Sequence, residues 1–402
     1  MKLANDKIAA PDLTQTPEDQ ERSPKPPLEP APALALDLAL DSALDSAPAP
    51  SQTPEYQDQS QETLTAPSQA PKKTPGKAKR KANRSTVRKR VFTVLSLTLT
   101  VILVWAIARF VWQHFSEFKA LWQKPIPAVV WVMLPVSWLL MVTVNSELLR
   151  WPVTAYGIKL TFLEGLALNM AASAINYVIP LKSGSGLRGL YLFSNRGMRV
   201  SHYLATLGSV TTMTLSTASF FAFVGLVYLW AQGHQPSPIL PIYFGSTALF
   251  GLGSVLFLGR MPFKLPSKLQ AIADGWDLLR SNGRLFLRLT VLQAGYFFSW
   301  AFFNWVTLAA FGVYLNPFEI VFFSGGQIHA TIVNLTPAGL GVVEAFSVYA
   351  GKVMEFTPAE ALSAQGLNRL TAVIMLAFFG LWGWLYLTRL IRREKISAPP
   401  KP

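Results

Sequence analysis

Four charged residues in this chain lie where charge is costly, in or beside long apolar segments. Lys182 and Arg188 belong to one interrupted segment, Glu344 belongs to another, and Arg369 lies early in the last apolar run. An arginine can bind a phosphate through two parallel hydrogen bonds, and a helix N-terminus adds partial positive charge. A carboxylate in apolar surroundings is unfavourable unless paired or protonated, so Arg369 is the expected partner of Glu344. Together the four residues predict a site for an anionic phospholipid headgroup or a lipid phosphate.

Each of these residues also has a simpler interpretation. Lys182 and Arg188 would then only extend long side chains to the water at the cytoplasmic interface. A Glu344–Arg369 pair would only lock a hairpin to the last span. In the functional alternative, Glu344 exchanges Arg369 for a proton or a cationic headgroup during transport. The sequence leaves both interpretations open.

The two interrupted segments, residues 162–193 and 318–354, have similar patterns. Each carries an asparagine, a proline and two glycines in order, namely Asn176, Pro180, Gly184 and Gly186 in the first, and Asn334, Pro337, Gly339 and Gly341 in the second. Proline removes a backbone donor and glycine lets the chain turn, so each segment predicts a helix–break–helix hairpin. The asparagines are expected to cap backbone groups that the breaks leave free, rather than to contact substrate.

Six other apolar segments are each long enough to cross about 30 Å of hydrocarbon. They are residues 91–111, 127–149, 203–230, 239–258, 286–311 and 364–387. If both interrupted segments are re-entrant, the loops on one side carry sixteen basic and three acidic residues, and those on the other side three basic and four acidic ones. Basic loops stay in the cytoplasm. The sequence therefore predicts an all-α, polytopic membrane helix bundle with both termini cytoplasmic, in which two re-entrant hairpins enter from opposite faces as an inverted repeat.

The N-terminal region has a different composition from the rest of the 402 residues. Residues 1–70 hold twelve acidic and four basic residues, whereas residues 71–90 hold ten basic residues and no acidic one. Such a Pro-, Ser- and Gln-rich chain cannot bury enough apolar surface to fold. We expect a disordered cytoplasmic tail over 1–90, a transmembrane domain over 91–395 and a short tail over 396–402. Residues 33–47 have a helical Leu and Asp spacing suited to a cytoplasmic protein partner, although a transient helix is the alternative.

Composition also excludes several classes of protein. There is no cysteine, which excludes disulfide scaffolds, zinc fingers and thiol enzymes. No phosphate-binding loop, metal motif or activated nucleophile is found, so we predict no cofactor, no metal and no catalytic residue. The net charge is +14, and the basic residues that produce it lie beside apolar segments. We therefore expect membrane lipids as partners and no nucleic acid.

The motifs around the two breaks resemble those of the lysylphosphatidylglycerol synthase transmembrane family, which is flippase-like. The similar residues are Pro180-x-Lys182-x-Gly184-x-x-x-Arg188, and residues 337–344 (PAGLGVVE) followed by Arg369. The resemblance covers residues 90–392 and implies a polytopic bundle associated with lipid translocation. We expect the protein in the cell (inner) membrane. Ser185 stands where the family usually has a glutamate, and residues 208–212 lack the family's downstream arginine. The C-terminal aminoacyl-transferring domain of bifunctional members is missing, so synthase activity is not expected.

The leading hypothesis is therefore a lipid translocator, and two other hypotheses stay open. One is an accessory membrane scaffold for a lipid- or glycan-modifying enzyme, recruited by the N-terminal tail. The other is a lipid-phosphate transferase, for which Asp274 and Asp277 are the acids spaced to share a metal. Those acids lie in the amphipathic stretch 264–288, which predicts either a helix on the cytoplasmic membrane surface or a simple link between the repeats.

Overall fold

The computed structural model describes residues 115–178, 183–257, 281–333 and 339–397, together with the isolated positions 105, 108, 109, 111–113, 270, 273, 277 and 336. In these parts of the chain the regular structure is entirely helical. The helices are α1 (Phe115–Gln123), α2 (Ala128–Ala155), α3 (Phe162–Val178), α4 (Ser183–Arg196), α5 (Val200–Ala231), α6 (Ile239–Phe257), α7 (Gly283–Ala309), α8 (Pro317–Val333), α9 (Val342–Val353) and α10 (Pro358–Ser397).

Four of these helices, α2, α5, α7 and α10, are long and apolar enough to cross a membrane. They confirm four of the six predicted spans. The segment predicted at 239–258 forms α6, whose described apolar part is shorter, and the one at 91–111 lies outside the described residues except for isolated positions. Large apolar residues such as Phe250 on α6 and Phe378 on α10 are more than two-thirds exposed. Such outward-facing apolar surface is what a lipid environment requires.

Both predicted helix–break–helix segments are present. α3 ends at Val178 and α4 begins at Ser183, while α8 ends at Val333 and α9 begins at Val342. Within the second break, Gly339 and Gly341 have φ of 68° and 88°, a conformation that favours glycine. The predicted position of the first break was wrong by a few residues, because Gly184 and Gly186 lie in the first turn of α4. Pro180, Lys182, Asn334 and Pro337 lie outside the described residues, as do the tail 1–90, Asp274 and residues 398–402.

The helices pack in a pattern that occurs twice. In chain order, α2 to α5 correspond to α7 to α10. The first arm of each hairpin packs on the helix before it and on its own second arm, in α2, α3 and α4 as in α7, α8 and α9. Each first arm also packs on the last helix of the other half, so that α3 contacts α10 and α8 contacts α5, while α2 contacts α7. Exchanging the two halves leaves these pairings unchanged, which is the arrangement expected of an internal repeat.

Small residues let these crossings between the halves come close. A Cβ on Gly383 of α10 would lie 2.5 Å from the carbonyl oxygen of Ala167 in α3, and one on Gly325 of α8 would lie 2.6 Å from that of Ala218 in α5. Helices in membranes associate through such close backbone contacts. The two equivalent crossings therefore hold each hairpin against the opposite half.

Candidate functional site

Arg188 lies on α4, the second arm of the first hairpin, beside a small cavity that polar and apolar side chains line together. Its Nη2 donates a hydrogen bond to Oδ1 of Asn169 on α3, and its Nε is buried without a hydrogen-bond partner in the described protein. The cavity has a volume of about 40 Å³ and is lined, besides Arg188, by Asn145, Leu149, Tyr203, Thr206, Leu207 and Val210. Arg188 therefore brings a guanidinium group into an interior space where α2, α4 and α5 meet.

Two neighbours fix the position of Arg188. Asn169 donates from Nδ2 to the carbonyl oxygen of Val142 over 3.1 Å, which leaves its Oδ1 to accept from Arg188. Tyr203 donates from its hydroxyl to the carbonyl oxygen of Ser185 over 2.5 Å. The Tyr203 ring packs against Gly189, where a Cβ would lie 2.9 Å from the ring. The wall of the cavity is thus tied to α4 itself.

The start of α4 is built by Asn176 and Gly184. The N–H of Gly184 donates to Oδ1 of Asn176 over 2.7 Å, so the asparagine satisfies a backbone donor that the break leaves free. A Cβ on Gly184 would overlap the carbonyl oxygen of Ala172 in α3. The predicted capping role of Asn176 is confirmed, and Gly184 serves a close approach between the two arms instead of the turn.

Glu344 and Arg369 form the predicted ion pair. Oε1 of Glu344 lies 2.5 Å from Nε of Arg369, and Oε2 accepts the N–H of Gly341 over 2.7 Å. The exposed fractions of the two side chains are 8% for Glu344 and 21% for Arg369. Both carboxylate oxygens are therefore engaged, one across to α10 and one at the start of α9. Tyr177, which follows Asn176 near the end of α3, lies within electrostatic range of both charges, so the pair is close to the first break.

These contacts divide the predicted site residues into two groups. Arg188 belongs to a cavity walled by the first half, and Glu344 with Arg369 belongs to the second hairpin. Lys182 cannot be assigned to either group, because it lies outside the described residues.

A third charged cluster was missed in the sequence analysis. Oε1 of the buried Glu164, at the start of α3, accepts from Nε of Arg196 over 2.6 Å and from the hydroxyl of Tyr191 over 2.7 Å. These residues join the outer ends of the two arms of the first hairpin. The opposite charges of Glu164 and Arg196 at the two ends of the interrupted segment were the available signal.

His329, on α8, has a partner at each ring nitrogen. Nε2 lies 2.8 Å from Oγ of Ser219, and Nδ1 lies 2.8 Å from the hydroxyl of Tyr243. His329 is therefore an interior histidine whose two ring nitrogens are both satisfied by hydroxyl groups. Within the residues that the structure describes, no group of three or more His, Asp or Glu side chains is placed to hold a metal ion.

The long apolar helices, the broken hairpins and the repeated packing define a polytopic helical membrane protein. The family model described as the lysylphosphatidylglycerol synthase TM region matches residues 92–380. The chain belongs to this family, as its paired motifs suggested. No curated protein matches the chain significantly.

Proposed function

We propose that this protein translocates an anionic phospholipid or a lipid phosphate across the cell (inner) membrane, with both of its termini in the cytoplasm. The observation that carries the proposal is the half-buried Arg188, whose buried Nε lies beside a cavity and has no hydrogen-bond partner among the described residues. An ionisable group at membrane depth is a functional-site candidate by default, and an arginine suits phosphate oxygens. Membership in a family named for lipid modification supports the same substrate class.

The repeated hairpins supply a mechanism for movement. In transporters built from inverted repeats, broken helices hold the substrate near the bilayer midplane while the halves rock around it. Here the first arm of each hairpin packs on the last helix of the opposite half. We propose that rocking of these pairs exposes the Arg188 cavity to one side of the membrane at a time.

The Glu344–Arg369 pair is the second charged element of the proposed path. In the conformation described, both oxygens of Glu344 are engaged, one by Arg369 and one by the N–H of Gly341. We propose that movement of α9 against α10 separates the pair, so that Arg369 meets the headgroup phosphate and Glu344 takes a proton or a headgroup ammonium. No nucleotide-binding motif is found in the sequence, so transport would be passive, proton-linked or driven by a partner.

The test is headgroup-resolved lipid flip in proteoliposomes. Flip would be measured with three fluorescent probes, namely phosphatidylglycerol, phosphatidylcholine and an isoprenoid phosphate. Each probe would be tested with the wild type, with Arg188→Gln, and with Arg199→Gln as a matched control that removes an exposed cation nearby. The proposal expects accelerated flip of an anionic probe, reduced at least tenfold by Arg188→Gln and unchanged by Arg199→Gln. If the folded wild-type protein accelerates the flip of no probe, the proposal that it translocates lipid is wrong. Deleting residues 1–70 would then test the accessory scaffold, which should lose function in cells.

A further inference from the structure

The cavity beside Arg188 contains a positive charge that no acid on the described helices around it balances. The helices α4, α5 and α7 contain no acidic residue in their sequences. The acids of α2 and α3, Glu147 and Glu164, are paired with Arg150 and Arg196. Every acidic residue on α2, α3, α4, α5 and α7 is therefore paired with an arginine other than Arg188.

Position 185 is well placed for an acid that would balance the charge of Arg188, but the residue there is the uncharged Ser185. It lies three residues before Arg188 on α4, and residues at that spacing are neighbours on one helix face. Its carbonyl oxygen accepts from Tyr203, and its hydroxyl carries no charge. A cation taken out of water without a counter-charge is energetically unfavourable. The folded protein keeps this unfavourable state although a single acid at position 185 would relieve it.

The size of the cavity limits what can fill it. A cavity needs roughly 10–15 Å³ to hold one water, so a space of about 40 Å³ has room for the oxygen atoms of one anionic group and not for a whole headgroup. Among the other residues of the lining, Asn145 offers an amide that can donate to an oxyanion, whereas the hydroxyls of Tyr203 and Thr206 donate to the carbonyl oxygens of Ser185 and His202.

We infer that Arg188 is a phosphate subsite in which the ligand supplies the missing counter-charge, and that the uncharged side chain of Ser185 keeps this subsite open. Nε and the guanidinium face the phosphate oxygens, while the rest of the ligand lies beyond the Tyr203 wall. The same oxygens belong to a lipid phosphate and to free inorganic phosphate. This inference rests on the proposed function for its biological ligand, but the binding that it predicts is independent of transport.

The test is binding measured as thermal stabilisation of the full-length protein in a neutral detergent. Inorganic phosphate and phosphatidylglycerol in mixed micelles are titrated separately, with diacylglycerol as the lipid that lacks a phosphate. A ligand that binds only the folded state raises the melting temperature with concentration, which yields an apparent Kd. We expect phosphatidylglycerol to stabilise the wild type and diacylglycerol not to do so.

The variants separate charge from shape. Arg188→Gln should weaken phosphatidylglycerol binding at least tenfold, and Arg188→Lys should retain part of it. Ser185→Glu, whose carboxylate can pair with Arg188, should also weaken binding at least tenfold, whereas the matched Ser185→Gln and Arg199→Gln should stay within about threefold of the wild type. Because Ser185→Glu adds a pairing charge, it should raise the melting temperature without ligand, which a merely misfolded variant would not do.

Each outcome bears on the inference. Stabilisation by phosphatidylglycerol alone makes the lipid the source of the phosphate, and stabilisation by inorganic phosphate as well makes the site a general oxyanion site. Equal binding by wild type and Arg188→Gln, or stabilisation by diacylglycerol to the same extent, overturns the inference. Binding without flip would overturn the proposed transport and leave the subsite standing. Accelerated flip, together with phosphatidylglycerol binding that Arg188→Gln does not weaken, would overturn the subsite and leave lipid translocation standing, with a path that does not use Arg188.

Discussion

Nε of Arg369 lies 2.5 Å from Oε1 of Glu344, and the other oxygen of the same carboxylate holds the N–H of Gly341. The Glu344 side chain thus caps the start of α9 and links α9 to α10. Removing either member of a mostly buried pair leaves the other charge uncompensated. The distance establishes the ion pair, and substitutions of its two members can measure the coupling energy between them.

Glu344→Gln should destabilise the protein by about 3 kcal/mol, because Arg369 loses its counter-charge. Arg369→Gln should have a similar effect, and the double variant should be more stable than the sum of the two losses predicts. Thermal unfolding in detergent, arranged as a double-mutant cycle, measures the coupling. Additive losses would contradict an energetically coupled pair.

Asn176→Ala should destabilise the first hairpin by about 1 kcal/mol, the usual effect of losing a helix cap. The N–H of Gly184 would lose its acceptor at the break. Asn176→Asp keeps an oxygen at this position and serves as the control. Equal melting temperatures of Asn176→Ala and the wild type would argue against the cap.

Gly184→Ala should destabilise the fold by about 1–3 kcal/mol, since its Cβ would overlap the carbonyl oxygen of Ala172. Gly253, in α6, has no atom within 4 Å of an added Cβ and provides the matched control. Gly253→Ala should be neutral or slightly stabilising, because alanine is the better helix former. The melting temperatures of the two variants should therefore separate, and a neutral Gly184→Ala would show that the arms can move apart.

The topology can be tested with single cysteines, because the chain contains none. Ser194, near the end of α4, and Gln235, between α5 and α6, are both exposed. If the first hairpin is re-entrant, Ser194→Cys should react with a membrane-impermeant thiol reagent from the cytoplasmic side and Gln235→Cys from the opposite side. If residues 162–193 instead form one full span, Gln235→Cys should react from the cytoplasmic side and Ser194→Cys from the opposite side.

Much of the architecture follows from local properties of the chain. The apolar lengths of α2, α5, α7 and α10 reflect the thickness of the hydrocarbon layer, and each break occurs where proline and glycine cluster. The exact start of α4 was harder to predict. Glycine permits both a turn and a close helix contact, and the carbonyl oxygen of Ala172 decides between them at Gly184.

The sequence by itself determined the class of protein, the number and nature of the breaks, and the Glu344–Arg369 pair, because hydrophobic length, backbone chemistry and scarce charges can be read along the chain. Only the tertiary structure decided which of the other charges in the helices are balanced. Glu164 is paired with Arg196, 32 residues away, and Glu147 with the adjacent turn, so that Arg188 is left with Asn169 and a cavity. Electrostatic compensation depends on distances between helices, and these are set by packing.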